Sequence, residues 1–164
     1  MGQQQLLLLV LGIVIVGIAV VAGIQAFSEG KSKSERDAAA SDAMRIVSDA
    51  QAWRLKPQAF GGGAGKDLSS YSLKFQDLGY PNATTTTVDG QQVEGNGVQA
   101  NGTYKTVSGC YTLSSLQGGI ATLSIELLDA DGVSCSGEEY ARVNIMGTTS
   151  NDIIWTYNTG SESN

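Results

Sequence analysis

The chain has 164 residues, a formal net charge of -6 and no histidine. An acidic balance argues against nucleic acid as the main ligand. The absence of histidine removes Ser-His-Asp and Cys-His pairs, the commonest general acid/base and most transition-metal sites, so neither an enzyme nor a cofactor is expected.

No charged side chain precedes Glu29, and Leu6 through Ile24 contains only Leu, Val, Ile, Ala and Gly. As an α-helix rising ~1.5 Å per residue, this run covers roughly 28 Å, about the hydrocarbon thickness of a bilayer. It cannot stand alone in water; it either spans a membrane or packs among copies of itself. A signal peptide would carry a basic start, which Met1-Gly2-Gln3-Gln4-Gln5 lacks, and a shorter apolar core of ~7 to 15 residues. The segment is therefore expected to stay in the mature molecule. Gly12, Gly17, Ala19 and Gly23 would let apolar helices approach closely, with Leu6, Leu9 and Val16 packing beside them; Gly and Ala are also common in membrane spans as such. The first basic residues, Lys31, Lys33 and Arg36, follow the span. Alone they would place that flank in the cytoplasm, but Glu29, Glu35 and Asp37 are interspersed, and the cysteines and sequons described below favour the outside.

After a water-exposed stretch from Ser28 to Asp37 the helical period returns. Ala39, Ala43, Ile46 or Val47, Ala50 and Trp53 recur at three- and four-residue spacing, an amphipathic helix lying on something apolar. Lys56-Pro57 ends it. If Gly30 is passed without a break, one helix runs from the apolar segment to Leu55, far beyond the ordinary globular length. Gly61 to Gly65 is expected as a flexible connector, with a short strand around Tyr71 to Phe75. The Asn-, Thr- and Gly-rich stretch from Pro81 to Gly102 is expected as a loop. Asn82-Ala83-Thr84 and Asn101-Gly102-Thr103 are N-x-Thr sequons, and Thr84, Thr85, Thr86 and Thr87 could accept O-linked sugar; unmodified surface loop accounts for the same residues.

Four strands follow by their period-2 alternation: Tyr104 to Leu113, Ile120 to Leu128, Tyr140 to Met146 and Ile153 to Tyr157. Short turn-forming linkers make the sheet antiparallel and up-and-down. Its apolar face needs a cover, which the helix over Ala39 to Trp53 supplies, with Trp53, Trp155 and Tyr157 between the two layers. The expected fold is thus α+β, divided into an apolar helix over 1–27, an amphipathic helix continuing it over 28–56, a loop region over 57–103 and a sheet over 104–164.

Cys110 and Cys135 are the only cysteines. A cytosolic domain would keep two thiols; the apolar N-terminal segment and the strand-like flanks favour an exported domain, so one disulfide between them is expected. Asp129-Ala130-Asp131-Gly132 with Glu138 offers oxygen ligands to calcium, but an Asp-Gly hairpin turn uses the same residues without a metal. Gly61 to Lys66 is no phosphate loop, because Phe60 and Asp67 stand where Gly and Ser or Thr are needed.

Together, Met1 through Leu55 and the stranded tail resemble the type IV pilin superfamily, filament subunits whose N-terminal apolar helix continues onto an antiparallel sheet, often with a disulfide near the C-terminus. The resemblance implies a helical homopolymer of this chain as its own partner, a membrane-anchored precursor in the inner membrane, a pilus assembly machinery and a final place at the cell surface. By that resemblance Met1 either occupies the family's processed, methylated first position or is the initiator residue. Gln5 stands where the family usually keeps a glutamate that compensates a neighbour's terminal amine; it offers hydrogen bonds without a counter-charge. Ala22 replaces a helix-breaking proline, leaving Gly12, Gly17 and Gly23 to loosen the helix. Two alternatives share the sequence: a membrane-anchored binding module that stays monomeric, and a pseudopilin of a secretion system.

Overall fold

The computed structural model describes residues 2–64, 73–89, 91–116, 120–129, 132 and 134–158. An unbroken α-helix, α1, runs over Gly2–Leu55, so the helix passes Gly30, and it is α-helical through Gly12, Gly17 and Gly23 as well. The chain divides into two compact units, Met1–Asp37 and Ala38–Asn164. The first is the exposed part of α1, with Lys31 and Glu35 forming an i,i+4 ion pair at 3.5 Å.

In the second unit α1 contributes its buried face, Ala39, Ala43, Ile46, Val47, Ala50 and Trp53, the six positions that the helical period selects. This face covers a six-stranded antiparallel sheet in the order β3 (Gly97–Val98), β4 (Tyr104–Lys105), β5 (Cys110–Leu116), β6 (Ile120–Leu128), β7 (Cys135–Ile145) and β8 (Ile153–Tyr157). Tyr111, Leu123, Ile125, Ala141 and Val143 supply the apolar side of the sheet, each fully buried. Alternation explains the arrangement, since Leu123 and Ile125 face α1 while Thr122 and Ser124 between them face away. Alanines at 39, 43 and 50 leave room for close approach, and the Tyr111 hydroxyl reaches across to donate to the Ala39 carbonyl at 3.2 Å. At its C-terminal end α1 is tied to the β7–β8 connection: Gln51 donates to the Gly147 and Thr149 carbonyls, and Arg54 to that of Met146 at 3.0 Å.

The α+β fold is therefore as expected, with six strands in the main sheet rather than four. The run from Tyr104 to Leu113 is two strands, because Thr106 to Gly109 reverses the chain: the Thr106 N–H donates to the Gly109 carbonyl at 2.9 Å, and Tyr104 pairs with Tyr111. β3 is only two residues long, too short to show any period. Pro81 to Gly102 is not simply loop. It contains β3 and a separate two-stranded hairpin, β1 (Thr85–Val88) and β2 (Gln91–Glu94). Its two-residue turn places Asp89 at φ 51 before Gly90, a left-handed position that Asp-Gly tolerates. β7 begins at Cys135, not Tyr140, after two register shifts against β6; such irregularities hide a strand from a strict two-residue period.

Three packing expectations also change. Gly62 and Gly63 are buried rather than part of a flexible connector: Gly63 donates to the Trp53 carbonyl at 2.9 Å, Ala64 to that of Lys56, and the Trp53 indole donates to the Gly61 carbonyl. These bonds satisfy carbonyls left over at the helix end. Leu73 to Phe75 is not strand; the chain turns over Phe75 to Gly79, with Lys74 N–H donating to the Asp77 carboxylate. Tyr71 lies outside the described residues. Trp155 is half-buried against the core and Tyr157 is 52% exposed, since both sit on the edge strand β8, beyond the helix cover.

A Cβ added at Gly63 would collide with the Trp53 indole. Gly63→Ala should lower stability by about 1 to 3 kcal/mol, measured by thermal or urea unfolding of the full chain.

Candidate functional site

An apolar helix surface with no cover is the first candidate site. Leu6, Leu9 and Val16 are 67, 64 and 62% exposed, and Gln5 and Ala19 are exposed with them. A Cβ built on Gly12, Gly17 or Gly23 would meet nothing within 4 Å. Glycine in a helix interior costs ~1 kcal/mol relative to alanine, and among the described residues no neighbour requires that cost. By length and composition α1 can cross a membrane. Met1 lies outside the described residues, and the first turn of α1 holds no acidic side chain.

The second group is the cysteine pair. Cys110 and Cys135 form a disulfide with Cα atoms 6.0 Å apart. The bridge joins the starts of β5 and β7, the two strands flanking β6, beside the irregular β6–β7 register. Chain closure over a separation of 25 residues stabilises by roughly 3 to 4 kcal/mol in the entropy model.

The oxygen-rich turn has a structural use. The Gly132 N–H donates to the Asp129 carbonyl at 2.8 Å and Asp129 N–H to the Ser134 carbonyl, closing the turn between β6 and β7. Glu138 is exposed on β7, and Asp131 lies outside the described residues. Among the described residues no group of three His, Cys, Asp or Glu could hold a metal ion.

The sugar-acceptor candidates are all at the surface. Thr85, Thr86 and Thr87 form the exposed strand β1, Thr84 precedes it, and Asn82 is exposed where it bridges to Val98. Asn101 sits in a turn closed by Gly102 N–H donating to the Gln99 carbonyl, and its Oδ1 accepts the Thr103 N–H at 2.9 Å.

The polar contacts of the helix face escape sequence reading altogether. Tyr80 donates to Asp49 at 2.6 Å, and its ring lies 4.7 Å from that of Tyr104, which also meets Phe75 and Tyr111. Burial, then the bond to Asp49, pushes the Tyr80 hydroxyl pKa upward; burial and the Asp42 charge do the same to Tyr111. On the surface, partial burial raises Glu139, but the Arg142 hydrogen bond at 2.9 Å and one from Ser124 outweigh it, so its carboxyl is held low. Bonds from Thr149 hold Asp152 low as well, at the start of β8.

No protein-family model matches this chain, and no curated protein or solved structure matches it.

Replacing Cys110 and Cys135 by serine, or reducing the bridge, should lower the melting temperature of the full chain, and an unchanged temperature would remove the disulfide's stabilising role. A phenol whose folded pKa is raised stabilises the fold fully below its unfolded value of ~10, and that stability is lost as pH rises toward the folded value. Unfolding free energy should therefore fall above pH ~10, and Tyr80→Phe should soften the fall. Ultraviolet titration should show Tyr80 and Tyr111 ionising only as the protein unfolds.

Proposed function

We infer that this chain is a structural subunit of an extracellular type IV pilus-like filament, with Leu6 to Ile24 packed in the filament core. One observation carries the reading: a single α-helix over Gly2–Leu55 is wholly exposed and apolar in its first part and buries one face on a disulfide-bonded antiparallel sheet in its last part. The open space at the helix glycines supports it further. Gly12, Ala19, Gly23, Ala26 and Gly30 fall within about 60° of arc at 100° per residue, a stripe along which another helix backbone could come close.

Before assembly the same helix holds the subunit in the inner membrane. Moving from lipid into a filament core buries little new apolar surface from water, so close packing and helix registry drive assembly. Dispersal into water would then expose the whole run. At ~1.5 to 3 kcal/mol for each large apolar side chain the cost reaches tens of kcal/mol as an upper bound, which would make a filament persistent. Gln5 replaces charge compensation by hydrogen bonding, so the terminal amine of a neighbour would be satisfied by the amide oxygen rather than by a carboxylate.

Val16→Asp places a charge on the exposed apolar surface, remote in sequence from every core residue. Filaments should disappear under negative-stain microscopy, while circular dichroism still reports a folded sheet; normal filaments from this variant would refute the reading.

A further inference from the structure

Residues 73–76, 99–102 and 112–113 line an open cleft of about 360 Å³ in the C-terminal unit. That volume lies at the small end of the usual range for small-molecule sites, roughly 300 to 1,000 Å³. Leu73, Phe75 and Leu113 are its apolar lining residues, the first two buried, and Lys74, Gln76, Gln99, Asn101 and Thr112 its polar ones. Both sequons converge here. Asn101 lines the cleft itself, and the Gln76 amide donates to the Asn82 Oδ1 at 3.4 Å, which brings the other acceptor to its border. The walls are built structure: the 99–102 turn is closed by its own backbone bonds, Gly102 takes a φ of 88, and the Thr103 and Thr112 hydroxyls meet at 3.2 Å.

We propose that this cleft is a seat for a saccharide. A sugar ring presents an apolar C–H face and a rim of hydroxyls that each donate and accept. Carboxamides match that rim because each carries two donors and an acceptor oxygen, and the leucine side suits the C–H face. The sugar has two possible sources, a glycan attached to Asn101 or a free or foreign glycan. In attachment, Asn101 Nδ2 bonds to the anomeric carbon of a sugar activated as a lipid-linked diphosphate. The sugar–oxygen bond breaks with the diphosphate as leaving group, and one Nδ2 proton passes to a base of the transferase. Asn101 is disposed for this, since its Oδ1 is taken up by the Thr103 N–H and the residue is exposed in its turn. The attached source rests on the C-terminal unit lying outside the cytoplasm, as the filament reading has it.

The test begins with mass spectrometry of the full chain purified from the cells that make it. A glycan mass on the Asn101 peptide, absent from Asn101→Gln, identifies the attached source. Amide hydrogen exchange over 73–76 and 99–102 should then be at least fivefold slower in the native chain than in N101Q. Where Asn101 is bare, the detergent-solubilised chain is titrated with methyl glycosides of mannose, galactose and N-acetylglucosamine under saturation-transfer NMR. At least one should bind, and Gln99→Ala should reduce the signal at least fivefold. A glycan that leaves exchange unchanged, or a bare Asn101 with no transfer signal, overturns the seat. Either result in cells that still display normal filaments leaves the filament reading standing, so the two fail separately.

Discussion

The seam where Ala39, Ala43, Ile46, Val47, Ala50 and Trp53 meet the sheet is the interaction on which the C-terminal unit depends. Small side chains at three of its six positions let the helix backbone come close, and the neighbouring groups are built to that spacing. The Tyr111 hydroxyl can reach the Ala39 carbonyl because no larger side chain intervenes. Gly109 fits because a Cβ there would press on the Glu126 carbonyl and reach the Ala39 methyl. Gly62 and Gly63 then fold back over the helix end and close the seam around Trp53. These contacts belong to one close-packed interior, and interiors packed to crystal density tolerate little change in spacing.

The same helix meets a different problem in its first part. There the side chains are apolar on every face, so no single sheet or loop could cover them. Water is an unfavourable solvent for such a surface at ~25 cal/mol per Å², and only lipid or other helices surround a cylinder completely. Glycine and alanine in this part make sense for close helix approach, since within the chain the space beside them is open. Charged side chains begin only at Glu29, after the polar Gln25 and Ser28. A subunit that is first dissolved in a bilayer and then packed among its copies satisfies both conditions with one segment, which is the physical core of the filament proposal.

Several polar groups described in the C-terminal unit are engaged locally. Asp49 and Asp42 accept phenol hydroxyls at the margin of the seam, and Asp152 and Thr149 cap one another where β8 begins. A carboxylate already engaged by a fixed donor holds its neighbours in place and is less available to bind or to transfer a proton. Gln76, Gln99 and Asn101 differ in lining a cleft, although Gln76 and Asn101 also have local hydrogen bonds. Edge position explains the aromatic residues of β8 in similar terms: Trp155 and Tyr157 stack at 5.8 Å and shield one another where the helix no longer covers the sheet.

Much of this was legible in the residues themselves. The long helix, its buried face, the strands over Ile120–Leu128 and Ile153–Tyr157 and the stop at Leu55 rest on periodicity and on proline, which act over a few neighbouring residues. The cysteine pair was expected as a bridge and forms one. Asp89-Gly90 between Thr-rich and Gln-Val flanks carried a hairpin signal as well, outweighed by the polar composition around it. The tertiary structure alone decided the two-residue strands, the bulged entry into β7, the burial of Gly62 and Gly63, and the meeting of Gln76, Gln99 and Asn101 around one cleft. These depend on which residues distant in sequence become neighbours, and local side-chain patterning holds no information about that until the seam between helix and sheet has formed.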